Sequence, residues 1–364
     1  MTFQKKKTKM IKSSLLLLIF LFMLHGRSSM GQDTELPMAD TIEYTVKDNL
    51  GLFESDDLLD ITLRFDITRL MKKKSQDEYL DGEITFYLGE NDSIKQFIKI
   101  KSRGNRRKEV CFLPPLRLNF KTGEEDGKEI VNNLKLVTHC QNNEKFELYI
   151  FREYLCYRLY NIVTDYSLRV RLLRIKYVDT GSKGYNVTRY GFVIEPTEMF
   201  AERFGAVEMT DLVVRPQFVS PFIHDRVALF NYMIGNDDWY LTNLHNLKVF
   251  NFPDEVGANS YIVPYDFDYS GLVDTHYSFP NPEHNIESVL DRIYLGPCRS
   301  DEQFREVLDD FLGKKDQFME LFNSFELMDD RKRQNSIKYL EGFFEEYKRD
   351  QILYNLKKTC TEIN

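Results

Sequence analysis

No stretch of these 364 residues stays apolar for the roughly 20 positions needed to cross a bilayer as a helix. The longest apolar run, Leu15 to Leu24, falls well short. There is no CxxC pair and no Cys/His spacing of the kind that holds a structural zinc. Cysteine is sparse, and its count of five is odd, so an oxidising compartment would allow at most two internal bridges. Cys111 with Cys140 is one candidate pair; buried free thiols are the alternative. A basic surplus is also missing. Asp and Glu number 57 against 49 Lys and Arg, for a net charge of -8, which excludes general nucleic-acid binding. No internal repeat or low-complexity segment is visible, so repeat arrays are excluded. Tryptophan occurs once, at Trp239, and reads as a packing residue.

What is present begins with a leader-like segment. Lys5, Lys6, Lys7, Lys9 and Lys12 precede the apolar run, and Ser29-Met-Gly31 supplies small residues where a signal peptidase cuts. Residues 1–31 are therefore expected to be a signal peptide, with a retained N-terminal anchor as the alternative. The expected location is periplasmic, extracellular or at the cell envelope, with no membrane span after cleavage. Residues 32–59 read as a polar lead-in.

From Asp60 the pattern alternates. Ile61 to Phe65, Glu83 to Leu88, Ile94 to Lys101 and Leu116 to Phe120 read as short strands separated by turn residues, hence a mostly antiparallel sheet. Lys72 to Lys74 and Arg106 to Lys108 read as solvated loops. Residues 144–164 change to helical period after a capping Asn143. Leu172 to Asp179 and Tyr190 to Ile194 read as two further strands, and Glu195-Pro196 as a crossing point. Ser220, Pro221 and Gly235 bracket an apolar helix. Leu247 to Phe252 and Tyr261 to Tyr265 read as a hairpin. Glu302 to Leu312, Lys315 to Phe325 and Arg331 to Lys357 read as amphipathic helices. The fold class is α+β, with a strand-rich lobe over 60–196 and a helix-rich lobe over 197–364.

The chemistry-bearing residues follow the helix and the hairpin. Gly235-Asn-Asp-Asp-Trp-Tyr-Leu-Thr-Asn243 places Asp238 five residues before Asn243, and Val263-Pro-Tyr-Asp-Phe-Asp268 ends the hairpin with two carboxylates. Phosphoryl transfer needs a carboxylate to orient the attacking hydroxyl, and oxygen ligands for a divalent cation. Asp238 suits the first task; Asn243, Asp266 and Asp268 suit the second. In a continuing strand Asp266 and Asp268 would share a face. Taken singly, the same residues could cap turns.

These two segments resemble the catalytic loop and metal-binding segment of the spore-coat protein H (CotH) kinase-like family, with HipA-like kinases more distant. Ile100-Lys-Ser-Arg-Gly-Asn105 resembles the family's Arg-Gly-Asn stretch, and Leu116 to Phe120 the strand after it. Leu134 to Val163 resembles its helix-bearing segment, and Tyr190 to Glu195 the end of its small lobe. The resemblance spans about Asp60 to about Leu295. It implies a two-lobed atypical protein-kinase-like fold, ATP as donor, Mg²⁺ or Mn²⁺, and a protein Ser/Thr acceptor. It also implies a phosphate-pairing cation, for which Arg117 is the first candidate and Lys101 or Arg103 the alternatives. Glu153 would pair with that cation, and Glu195 would lie at the adenine hinge. The family's usual basic stretch is replaced here by Phe112-Leu-Pro-Pro115, and there is no Gly-rich phosphate loop of the ordinary kinase kind. His245-Asn246 also matches the family, so Asn246 is a second choice for the metal amide. The alternative function is a catalytically inactive kinase-like binding or assembly protein of the cell envelope.

Overall fold

The computed structural model describes residues 50–90, 92–120, 133–210, 214–253, 260–349 and 351–362. The expected leader and most of the lead-in lie outside them. Seven strands come first: β1 (Leu59–Phe65), β2 (Leu80–Tyr87), β3 (Ser93–Ser102), β4 (Leu116–Phe120), β5 (Asn133–Val137), β6 (Val170–Asp179) and β7 (Asn186–Ile194). They close into a barrel in the order β1-β2-β3-β4-β5-β7-β6. All neighbours are antiparallel except β1 and β6, whose parallel pairing shuts the ring. Inward positions such as Leu63, Ile84, Ile100, Leu118, Leu136 and Ile175 fill the barrel and are fully buried. This is the alternation the sequence carries, with polar residues outside. Closure itself has no counterpart in the local pattern.

Two short helices interrupt the strands, α1 (Ile67–Lys72) and α2 (Arg106–Val110). Helix α2 occupies the segment expected to be a loop, and α1 ends at Lys72, where the other expected loop begins. A longer helix, α3 (Glu147–Val163), follows a 3-10 turn capped by the Asn143 side chain. It packs the outer face of β6 and β7 on one side and the helical half on the other. That half contains α4 (Thr197–Phe204), α5 (Pro221–Ile234), α6 (Asp301–Gly313), α7 (Lys315–Asn323), α8 (Asp330–Lys348) and α9 (Gln351–Thr359). The single helix expected over Arg331 to Lys357 is thus two. A small sheet, β8 (Val207–Glu208), β9 (Leu247–Asn251) and β10 (Tyr261–Pro264), sits beside α5. Among the described residues no helix is long and apolar enough to cross a membrane.

Disulfides join Cys111 to Cys140 and Cys298 to Cys360, leaving Cys156 free and buried in α3. The first ties the end of α2 to the loop after β5, and so fixes α2 against the barrel. Helix α5 starts at Pro221 and stops at Gly235, whose φ of 64° lies in the left-handed region. A Cβ at Gly235 would collide with the Tyr339 hydroxyl, so only glycine suits this stop.

Candidate active site

The loop after α5 is set by a ladder of buried amides. Asn231 donates to the Val227 carbonyl within the helix (2.9 Å), and its Oδ1 accepts from Asn236 Nδ2 (2.8 Å). Asn236 Oδ1 in turn accepts from the Asp238 N–H (3.2 Å). The two neighbouring aspartates point apart. Asp237 is buried and accepts from the Asn281 N–H (3.0 Å), with His284 Nδ1 3.3 Å away. Asp238 is half-buried and faces a cleft. Asn246 Nδ2 donates to its carbonyl (2.7 Å) and to its Oδ2 (3.0 Å), and His245 Nε2 lies 3.0 Å from its Oδ1. The Asp238 contact raises the imidazole's proton affinity above the ordinary histidine value, against the opposing effect of burial.

Asn243, the preferred amide ligand from sequence, lies on the exposed rim. Its Oδ1 already accepts from the His245 N–H (3.1 Å). Asn246 sits deeper, and its carbonyl accepts from the Tyr265 N–H (3.0 Å), next to Asp266. With Nδ2 spent on Asp238, the Asn246 amide keeps its oxygen for a ligand. Asn246 lies deeper than Asn243.

The hairpin's end departs from a continuing strand. Strand β10 stops at Pro264, and Asp266 has a φ of 64°. Its N–H donates to the Tyr157 hydroxyl (2.9 Å) rather than to a strand partner. Alternation is broken there, yet both carboxylates reach the Arg107 guanidinium, Asp268 at 2.6 Å and Asp266 at 3.6 Å. Both line the cleft; Asp268 is the more buried and accepts from Arg107 Nε (2.6 Å) and the Tyr277 hydroxyl (2.8 Å). Leu244 and Asn246, also on the cleft, have φ values of 53° and 52°. Non-glycine residues held in this region cost about 1–3 kcal/mol each and cluster where a site needs a fixed shape.

Arg107 is the residue the sequence hides. Its basic run suggests a solvated loop, yet it is 7% exposed. Its guanidinium meets Glu153 (2.7 Å) and Asp268 (2.6 Å), and comes within 3.6 Å of Asp266. Three carboxylates thus share one cation. Although burial opposes its charge, these carboxylates hold Arg107 well above its usual value. Burial pushes Glu153 up to about 8, with Arg107 opposing and the two aspartates reinforcing the rise. Asp266 is raised for the same reasons, burial first and then Asp268. Glu153 Oε1 has no hydrogen-bond partner.

The expected phosphate cations fall on the barrel's outer face. Cross-strand register sets Lys101 opposite Arg117, and Arg117 opposite Lys135. Lys101 is engaged by Asp77 (2.7 Å) and does not line the cleft. Arg103 does line it. Lys135, which sequence reasoning passed over, lies 5.4 Å from the Tyr265 ring centroid, beside the cleft wall. Its value is lowered to about 8 by burial, then by the nearby Arg103 and Lys248. Only the strand pattern of residues 133–137 could have flagged it, since β5 places alternate residues outside. Below about 8 the cost of charging Lys135 is fully present. It fades as pH climbs toward the ordinary lysine value of 10.5. Lys135→Met is therefore expected to stabilise the ligand-free protein at pH 7 by about 1–2 kcal/mol after allowance for solvent screening. Denaturant midpoints should show that gain shrinking by pH 10.

Glu195 does not line the cleft. Its side chain is fully buried between Arg169 and Arg203, 2.8 Å from each, so it locks the end of β7 to β6 and α4. The hinge role expected of it has no support in this geometry.

The cleft holds about 640 Å³, and is lined by Arg103 to Arg107, Asp237, Asp238, Asn243 to Asn246, Tyr265, Asp266 and Asp268 among others. That volume is within the range of small-ligand sites. Asp238 and Asp266 both open on it, and Asp238's charge is felt at Asp266. Among the described residues no three His, Cys, Asp or Glu side chains gather into a ready metal cluster. Among the hard oxygens on the cleft are the Asp266 carboxylate and the Asn246 amide. Such a sparse set suits Mg²⁺, which keeps water and phosphate in its shell, better than a cation needing an all-protein cage. A divalent charge would also offset the carboxylate excess around Arg107.

No family model matches this sequence, and no curated protein matches it. Among solved structures the chain is similar to a Helicobacter pylori proinflammatory kinase, CtkA. The identity is 9% and the TM-score 0.36, over 64% of this chain and 90% of that one. A likeness that loose bears on neither activity nor ligand.

Proposed function

We propose that the cleft binds ATP with a divalent cation, and that the protein transfers the γ-phosphoryl group to a hydroxyl of a protein Ser or Thr. The observation that carries this reading is the convergence of Asp238 and Asp266 on one cleft edged by cations. In this reading Asp266 and Asn246 hold the cation, with Asn243 at the rim. Asp268 acts through Arg107, keeping Asp266 in place rather than binding the cation itself. Arg103 and Lys135, with Arg117 behind them, meet the phosphates. The cation, when bound, neutralises charge on the β- and γ-phosphates.

In this reading Asp238 takes the acceptor's proton as the hydroxyl oxygen attacks phosphorus and the bond to ADP breaks. His245 and Asn246 fix its carboxylate for that step. The same reading takes the chain as an exported, kinase-like protein of the spore-coat type, supported by its two loop motifs. A binding or assembly role is the second reading. One observation favours it: Arg107 and Tyr277 already occupy Asp268.

Purified protein incubated with γ-labelled ATP, Mg²⁺ or Mn²⁺ and serine-containing proteins should label an acceptor or itself. Folded protein that is stabilised by ATP but labels nothing would favour the second reading. Folded protein that neither binds ATP nor labels anything would contradict the kinase reading.

A further inference from the structure

Two basic runs about thirty residues apart in sequence form the walls of one groove. Lys72 and Lys74 come from the end of α1 and the loop after it; Arg106 and Lys108 come from α2. The groove holds about 640 Å³ and shares Gly104, Asn105 and Arg106 with the cleft that contains Asp238. Its lining has four cations and one carboxylate, Glu109, which pairs with Arg106 (3.0 Å). Neighbouring cations are already engaged: Arg69 and Lys73 share Glu78, and Lys101 pairs with Asp77. Lys72 and Lys108 have no ion-pair partner among the described residues.

The walls are fixed rather than loose. Lys74 Nζ donates to the Cys111 carbonyl (2.8 Å), Ser102 Oγ donates to the Lys74 carbonyl (2.6 Å), and Cys111 is bonded to Cys140. Positive charge gathered here stands out against a chain of net charge -8. A concave surface of one sign raises the local concentration of the opposite sign and steers its approach.

We propose that this groove docks an acidic peptide segment of the acceptor protein, laying it beside Asp238. The proposal rests on the phosphotransferase reading for what happens next, but not for the docking itself. An overall acidic chain repels nucleic acid and anionic membranes over most of its surface, so a narrow acidic segment is the favoured occupant.

The test is fluorescence anisotropy with a short labelled peptide alternating glutamate and serine, at low and high salt. The wild-type protein should bind it, lose affinity as salt rises, and ignore a neutral peptide of serine and glutamine. Lys72→Glu with Lys108→Glu should weaken binding by about tenfold or more, with the thermal midpoint and any ATP-dependent stabilisation unchanged. Equal binding of the neutral peptide, unaltered affinity in the charge-reversed variant, or tighter binding of phosphatidylserine vesicles or a polynucleotide would overturn the proposal. If the peptide binds as described while ATP has no effect, the groove stands and the phosphotransferase reading falls. If ATP stabilises the protein but the peptide does not bind, the groove alone falls.

Discussion

Replacing Arg107 with methionine is expected to destabilise the protein by about 3–5 kcal/mol at neutral pH, because it leaves the buried Asp268 without its cation. Arg107 is the only guanidinium in contact with Glu153 and Asp268 among the described residues, and it is itself buried. The deficit should depend on pH in a definite direction. Glu153 has a folded-state value raised from 4.5 to about 8, so its contribution is fully present below the unfolded value and is lost as pH rises through about 8. Without Arg107 the Glu153 carboxyl ionises only at a still higher pH, so the variant's deficit should widen above about pH 8 and stay nearly constant below it. Adding Glu153→Gln to Arg107→Met should remove the further loss seen above about pH 8, since a neutral amide never needs a counter-charge. Urea denaturation with linear extrapolation measures all of these. A loss below about 1 kcal/mol would mean that Arg107 is solvated, as its sequence context suggests.

The second large effect concerns Asp238. Asp238→Asn preserves the shape of the side chain but removes its capacity to take a proton, so transfer should fall by about 10²–10⁴-fold in kcat. Nucleotide binding should change little, because in this account Asp238 faces the acceptor rather than the phosphates. Steady-state kinetics beside an ATP titration separates the two quantities. Equal losses in binding and turnover would place Asp238 among the ligands of the metal–nucleotide complex instead.

Some of this site is legible without a structure. The apolar period with Ser220, Pro221 and Gly235 is enough to predict α5, and alternation is enough to predict most barrel strands. The two aspartate-bearing loops stand out because they follow a helix stop and a hairpin. What is hidden depends on distant partners. Arg107 meets Glu153 and Asp268 from 46 and 161 residues away, so no local pattern distinguishes it from Arg106, which is exposed. The parallel pairing of β1 with β6 spans over a hundred residues and leaves no local trace. The left-handed backbone at Asp266 ends the strand alternation, and Asp266 and Asp268 converge on Arg107 instead of following a strand. Lys135 is hidden by its short strand, and Cys298–Cys360 by the open choice among five cysteines.

The central claim is that Asp266 helps to hold a metal–nucleotide complex in the cleft. The most direct measurement is thermal or urea stability with and without ATP and Mg²⁺, on the wild type and on Asp266→Ala. The account predicts a gain of about 2.7 kcal/mol for the wild type at a hundred times the dissociation constant, mostly absent from the variant. No gain in the wild type at any attainable ATP concentration, or an equal gain in both proteins, would contradict it.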